Sequence, residues 1–158
     1  MNCTDAAEYM LFTPQRVILF VHVSFCISSI IVNLLFVKYC RKDVFFHCNC
    51  KVLLWTLVVI NIAHSLFLGT LQGTHLYKLF TASNPCDLLV PAVFCYSLRM
   101  PSTMCFSAHI TIHLSIVIER AVALKYLSTY ERSTPVAGFA LVFLSVKFYS
   151  SITIQTNR

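Results

Sequence analysis

The stretch "HLSIVIERAVALKYLSTYERS", residues 113–133, joins an apolar run to the abrupt pair Glu119-Arg120, followed by Lys125 and Arg132 in a short tyrosine-containing segment. Back to Met100 the run before Glu119 holds no Lys, Arg, Asp or Glu. A helix resting on a soluble core scatters its charges along one face at intervals of three and four residues. Charges gathered at one end mark the place where a helix leaves hydrocarbon.

Composition agrees with that reading. The 158 residues are 58% hydrophobic and 11% charged, with a mean hydropathy of +0.75, whereas a soluble domain carries roughly 25% charged residues. The chain belongs in a lipid bilayer as an all-α membrane protein. With 3 Gly and 5 Pro it has no low-complexity linker, and no repeat aligns, so residues 1–158 read as a single membrane domain. The net charge of +6 could suggest nucleic acid in a soluble protein. Here no basic cluster accompanies a nucleic-acid motif or an aromatic platform, and nucleic acid is not expected as a partner.

Working outward, the apolar segments are residues 17–37, "VILFVHVSFCISSIIVNLLFV", and residues 52–71, "VLLWTLVVINIAHSLFLGTL". At ~1.5 Å per residue each is about the thickness of the hydrocarbon layer. A third runs through residues 101–118 and starts near residue 91, with Pro101 marking a kink or the first turn. A fourth, residues 136–154, is weaker, being interrupted by Lys147. The first segment is not a signal peptide: an acidic leader (Asp5, Glu8) precedes it, its core is long, and it ends in bulky residues and positive charge.

Loop charges set the orientation. The leader, residues 1–16, has only Arg16; the first loop has Lys38, Arg41, Lys42 and Lys51; the second has Lys78, with Arg99 at its far edge; the third has Arg120, Lys125 and Arg132. Rich and poor loops alternate, which predicts an outside N-terminus and cytosolic segments around residues 38–51 and 120–132. Asn2-Cys3-Thr4 is an N-glycosylation sequon on the predicted outer side.

Intervals of four and three residues back from Arg120 reach Ile116, His113, His109, Phe106 and Ser102, one stripe of a helix. Three of the five are polar, and polar side chains at membrane depth face a bundle interior or a wet cavity. The spacing therefore predicts a central third helix, with Ser102, Phe106, His109 and His113 facing the interior or a ligand and Arg120 at the inner end of the stripe. Polar positions on the other spans, His22, Ser28 and Asn33, then Asn61, His64 and Ser65, read as interhelical hydrogen-bond partners. Glu119-Arg120 has two readings. One is a snorkelling boundary marker; the other is a switch in which the arginine is held by its acid in one state and released in another.

His109 and His113 stand at the i, i+4 spacing of a helical zinc pair, but the intervening Ile110, Thr111 and Ile112 lack the Glu of H-E-x-x-H and no third ligand is evident. No metal site is expected. The eight cysteines are divided between compartments. Cys40, Cys48 and Cys50 fall on the cytosolic side as reduced thiols or palmitoylation candidates, Cys26 and Cys105 lie within spans, and any bridge must come from Cys3, Cys86 and Cys95. With no phosphate-binding glycine loop, nucleophile elbow or carboxylate pair, the residues give no support for an enzyme or a cofactor.

An outside N-terminus, alternating basic loops and an acidic-Arg pair closing the third helix resemble a heptahelical G-protein-coupled receptor; Ala121 stands where its acidic-Arg-aromatic motif has an aromatic. More closely, "MNCTDAAEYM", "FHCNCK" (residues 46–51), "NPCD" (residues 84–87), "RMP" before the third span and "IERAVAL...STYE" after it are similar, in this order, to the nematode serpentine chemoreceptors of the Sra superfamily, class ab in particular. The resemblance implies a partial heptahelical receptor bundle in the plasma membrane of sensory neurons or cilia. It also implies an external small-molecule cue, odorant or pheromone, a heterotrimeric G protein as partner, and receptor oligomers. Glu119 and Arg120 would form the inner ionic switch, and Cys86 the outer cysteine tied to the second external loop. Cys95 competes for that role, 25 residues before Arg120.

The chain ends in or just after its fourth apolar segment. The later helices of such a receptor would then be missing through truncation, gene-model error or splicing. The alternative expectation is a non-signalling membrane protein that associates with full-length receptors through its polar helix faces.

Overall fold

The computed structural model describes Glu8, residues 12–40 and residues 48–125. Asn2, Cys3, residues 126–132 of the segment expected to be cytosolic, and the weak fourth segment, residues 136–154, lie outside the described residues.

Three long helices follow one another: α1, Thr13–Cys40; α2, Cys48–Thr81; and α3, Ala92–Lys125. A short 3-10 turn, Pro85–Leu88, separates α2 from α3. There is no strand among the described residues, and all three helices are long and apolar enough to cross a membrane. Helix is the only local solution for these sequences in lipid, because the backbone must satisfy its own hydrogen bonds there. The hydroxyls do the same. Ser24 donates to the Phe20 carbonyl (2.9 Å), Ser28 to Ser24 (2.9 Å), Thr56 to Val52 (2.8 Å) and Ser115 to Thr111 (2.9 Å), each one turn back.

Pro101 lies inside α3 rather than at its start. The first turn is set instead by Pro91, whose carbonyl accepts from the Cys95 N–H at 3.1 Å. Thr103, just past Pro101, donates to the Arg99 and Met100 carbonyls at 2.8 and 2.9 Å, adding bonds where the proline has removed a donor.

The chain divides into two compact units: Met1–Val32 with Ala63–Thr103, and Asn33–Ile62 with Met104–Arg158. In the first unit, α1 and α2 are antiparallel. Cys26 meets Gly69, whose missing Cβ would stand 3.2 Å from the Cys26 Cβ, while Ser65 donates to Ser29 at 2.9 Å. Leu19, Leu71 and Leu88 fill that unit. In the second, Leu53 and Ile112 are the fully buried side chains among the described residues.

Elsewhere the helices present apolar surface, with Phe25 at 70% exposure and Val93 at 81%. Buried polar groups, by contrast, include Ser65, Ser102, Ser115 and Glu119. Polar inside and apolar outside is the arrangement a bilayer selects, since only the bundle interior offers hydrogen-bond partners.

Candidate functional site

The connection between α2 and α3 is built by the sequence "NPCD". The Asn84 N–H donates to the Asp87 carboxylate at 3.3 Å, and the Asp87 N–H returns to the Asn84 carbonyl at 3.0 Å, closing the turn that Pro85 begins. Lys78, in the last turn of α2, reaches across and donates to the carbonyls of Asp87 (3.0 Å) and Leu89. A cation at a helix C-terminus is favoured by the helix dipole, and here it also fastens the loop to the helix. Cys86 sits exposed on this turn and is disulfide-bonded. Cys95, one turn into α3, is a free thiol lying 4.0 Å from His75 Nε2 on α2.

Deeper in the first unit, His64 Nδ1 is 3.0 Å from the Ser102 carbonyl and 3.3 Å from its hydroxyl. A carbonyl can only accept, so the 3.0 Å bond requires the proton on Nδ1. Ser102 is buried. A cavity of about 340 Å³ opens between α1 and α2, lined by Arg16, Val17, Phe20, Leu76, Leu79 and Phe80. Its wall is apolar apart from Arg16.

In the second unit, His109 Nε2 lies 2.8 Å from the Asn61 side-chain oxygen, and its ring stands 4.8 Å from that of His113. His109 is half-buried, whereas His113 and Phe106 are exposed among the described residues. At the end of α3, Arg120 Nε lies 3.3 Å from Glu119 Oε2, and the Glu119 side chain is 4% exposed against 40% for Arg120. The covered row of α3 therefore runs through Ser102, Cys105, His109, Ile112, Ser115 and Glu119. It is rotated by about one residue from the row counted back from Arg120, and the acid rather than the arginine ends it.

This inventory holds no group of three His, Cys, Asp or Glu placed to bind a metal ion among the described residues. What it offers is hydrogen-bonded helix contacts, a partly enclosed apolar cavity and a buried acid beside a cation. Sequence reasoning missed three participants. Lys78 counted only as loop charge, His75 lay beyond the expected end of the second span, and Gly69 carries no polarity. Of the pair Gly69-x-x-x-Gly73 only Gly69 meets a neighbouring helix, at Cys26.

Comparison with known proteins gives these features a family. The model of the family described as "Serpentine type 7TM GPCR receptor class ab chemoreceptor" matches residues 1–156. Three Caenorhabditis elegans proteins are similar. "Serpentine receptor class beta-15" is 28% identical over 131 residues, 83% of this chain and 39% of that protein. "Serpentine receptor class alpha-39" is 32% identical over 113 residues, 69% of this chain and 29% of that protein. "Serpentine receptor class alpha-13" is 26% identical over 155 residues, 94% of this chain and 46% of that protein. The chain thus spans less than half the length of these relatives. No solved structure matches. With a family match over nearly its whole length and three helices fit to cross a bilayer, this multi-pass membrane protein belongs to the serpentine seven-helix G-protein-coupled receptors of class ab.

Proposed function

We propose that this chain forms the first part of a chemosensory receptor. It lies in the plasma membrane with its N-terminus outside, senses an external small-molecule cue, odorant or pheromone, and signals to a heterotrimeric G protein. Family membership supports receptor function, and the alternation of basic loops supports the orientation. The observation that carries the proposal furthest is the Glu119-Arg120 pair: a carboxylate almost wholly removed from solvent lies 3.3 Å from an arginine, a little over one turn before the end of α3. Burying a carboxylate is costly, and its retention beside a releasable cation fits a two-state element whose balance a ligand can shift.

The test has two stages. Sequencing the transcript past the Arg158 codon is expected to reveal a continuing frame with further apolar segments; a genuine stop would refute the proposal of a signalling receptor. In the resulting receptor, expressed in cells with a G-protein reporter, Glu119→Gln should raise ligand-independent signalling. A partly exposed pair is worth about 1 kcal/mol after screening, so the resting balance should move roughly fivefold. Unchanged basal and evoked signalling would refute the switch.

A further inference from the structure

The cavity of about 340 Å³ between the start of α1 and the end of α2 lies wholly within the first unit. Val17 and Phe20 line it from α1, Leu76, Leu79 and Phe80 from α2, and Arg16 is the one polar side chain in its lining. An occupant therefore meets apolar contact along most of its length and a cation at one place. Two of the lining residues, Phe20 and Phe80, are largely exposed, which gives a chain dissolved in the bilayer a lateral way in.

The local charges select the sign of the occupant. Arg16 forms no ion pair with a described carboxylate. The first turn of α1 holds no acid, so the positive end of that helix dipole adds to the guanidinium instead of being offset. At the end of α2, Lys78 is engaged with the carbonyls of Asp87 and Leu89, and the Asp87 carboxylate accepts from the Asn84 N–H. A negative headgroup is what Arg16 recognises.

Size and charge narrow the class further. At about 30 Å³ for each water-sized group, the cavity takes roughly eleven such groups, which is one alkyl chain and not the paired chains of a phospholipid. One guanidinium balances one carboxylate, whose two oxygens match its fork of donors. A phosphomonoester, with a charge of about −2, would be left half compensated.

We infer that this cavity binds a single-chain alkyl carboxylate of about ten carbons, with its tail among Phe20, Leu76 and Leu79 and its headgroup on Arg16. The inference goes beyond the receptor reading and concerns binding alone. It does not depend on which side of the membrane the N-terminus lies, so its failure leaves that reading standing.

The test uses the 158-residue chain and any longer product of its transcript, each in phosphatidylcholine nanodiscs at about pH 8, where a carboxylic acid is ionised. The probe is decanoic acid with a diazirine at its tail end, crosslinked by light and mapped by mass spectrometry. Adducts should concentrate on residues 17–20 and 76–80. Decanoate should compete roughly fivefold better than decanol, the worth of one partly screened ion pair. Arg16→Gln should abolish that preference and leave competition by decanol unchanged. Leu79→Trp, which fills the cavity, should remove the adducts at Phe20 and Leu76 with helix content unchanged.

Adducts spread evenly over the exposed faces of the three helices, or equal competition by decanoate and decanol, would overturn the inference. Loss of adducts when phosphatidylglycerol replaces phosphatidylcholine would assign the cavity to a bilayer phospholipid and overturn it as well. Adducts present in the 158-residue chain but absent from a longer product would make a later helix the occupant, with the same result.

Discussion

The bond from His109 to Asn61 is the sharpest quantitative commitment of the second unit. At 2.8 Å, with the Asn61 oxygen accepting from His109 Nε2, it joins α2 to α3 where both side chains are half-buried. Asn61→Leu keeps the volume and removes the acceptor; His109→Phe keeps the ring and removes the donor. Each single change strands one polar group, which costs about 1–3 kcal/mol in proteins generally. The double change strands neither. Interhelical hydrogen bonds in membranes show coupling energies averaging about 0.6 and reaching about 1.7 kcal/mol. The short distance and the partial exposure together place this pair near 1 kcal/mol, roughly fivefold in the unfolding equilibrium. The assay is a double-mutant cycle on denaturant titration in mixed micelles, following helix content. Both singles should be destabilised, and their summed loss should exceed that of the double variant by about 1 kcal/mol. Additivity within about 0.3 kcal/mol would show that the two side chains do not hold the helices together, and would refute the reading of His109 as a helix-joining residue.

Gly69→Ala and Gly73→Ala should diverge. Alanine gains about 1 kcal/mol of helix propensity at either site, but at Gly69 its Cβ would stand 3.2 Å from the Cys26 Cβ, while nothing lies within 4 Å at Gly73. With overpacking costing about 1–3 kcal/mol, the same titration should show Gly69→Ala less stable than Gly73→Ala by about 2 kcal/mol. Lys78→Met removes both donors that hold the Asp87 and Leu89 carbonyls, so hydrogen exchange should quicken across residues 83–90 and stay unchanged in α1. A glycosidase-sensitive gel shift in the secretory pathway should disappear in Asn2→Gln; its presence in that variant would contradict use of the Asn2 sequon.

Why the spans were legible and their ends were not has a simple physical basis. Hydropathy reports the part of a helix that sits in hydrocarbon, so residues 17–37, 52–71 and 101–118 mark three crossings. Helix formation obeys a different constraint. Once nucleated, a helix continues as long as each new residue adds a backbone bond. Thus α2 carries on through "QGTHLYKLFT", residues 72–81, to Thr81, and α3 begins at Ala92 and passes through Pro101. The mixed polarity of residues 72–81 hid both His75 and Lys78, because a polar helical end looks like loop by composition. The turn was legible in a different sense: "NPCD" has the proline and the paired Asn and Asp that a tight turn uses, and its cysteine is disulfide-bonded.

The rotation of the covered row on α3 follows from anchoring the helix on its arginine. Adjacent helical residues point about 100° apart, so Glu119 and Arg120 cannot both face the neighbouring helices, and a count from either one gives an equally regular stripe. Polarity favoured the row with His113 and Phe106. The structure covers Cys105, Ile112 and Ser115 instead. The consequence reaches the proposed switch. An arginine carries a long flexible stem and five donors, so from the margin it can hold the acid and still reach a different partner. A glutamate at that margin, with the arginine buried, would leave the more heavily equipped group immobilised. With Glu119 at 4% exposure and Arg120 at 40%, the proposed switch takes the buried acid as its fixed post and the more exposed arginine as its moving part.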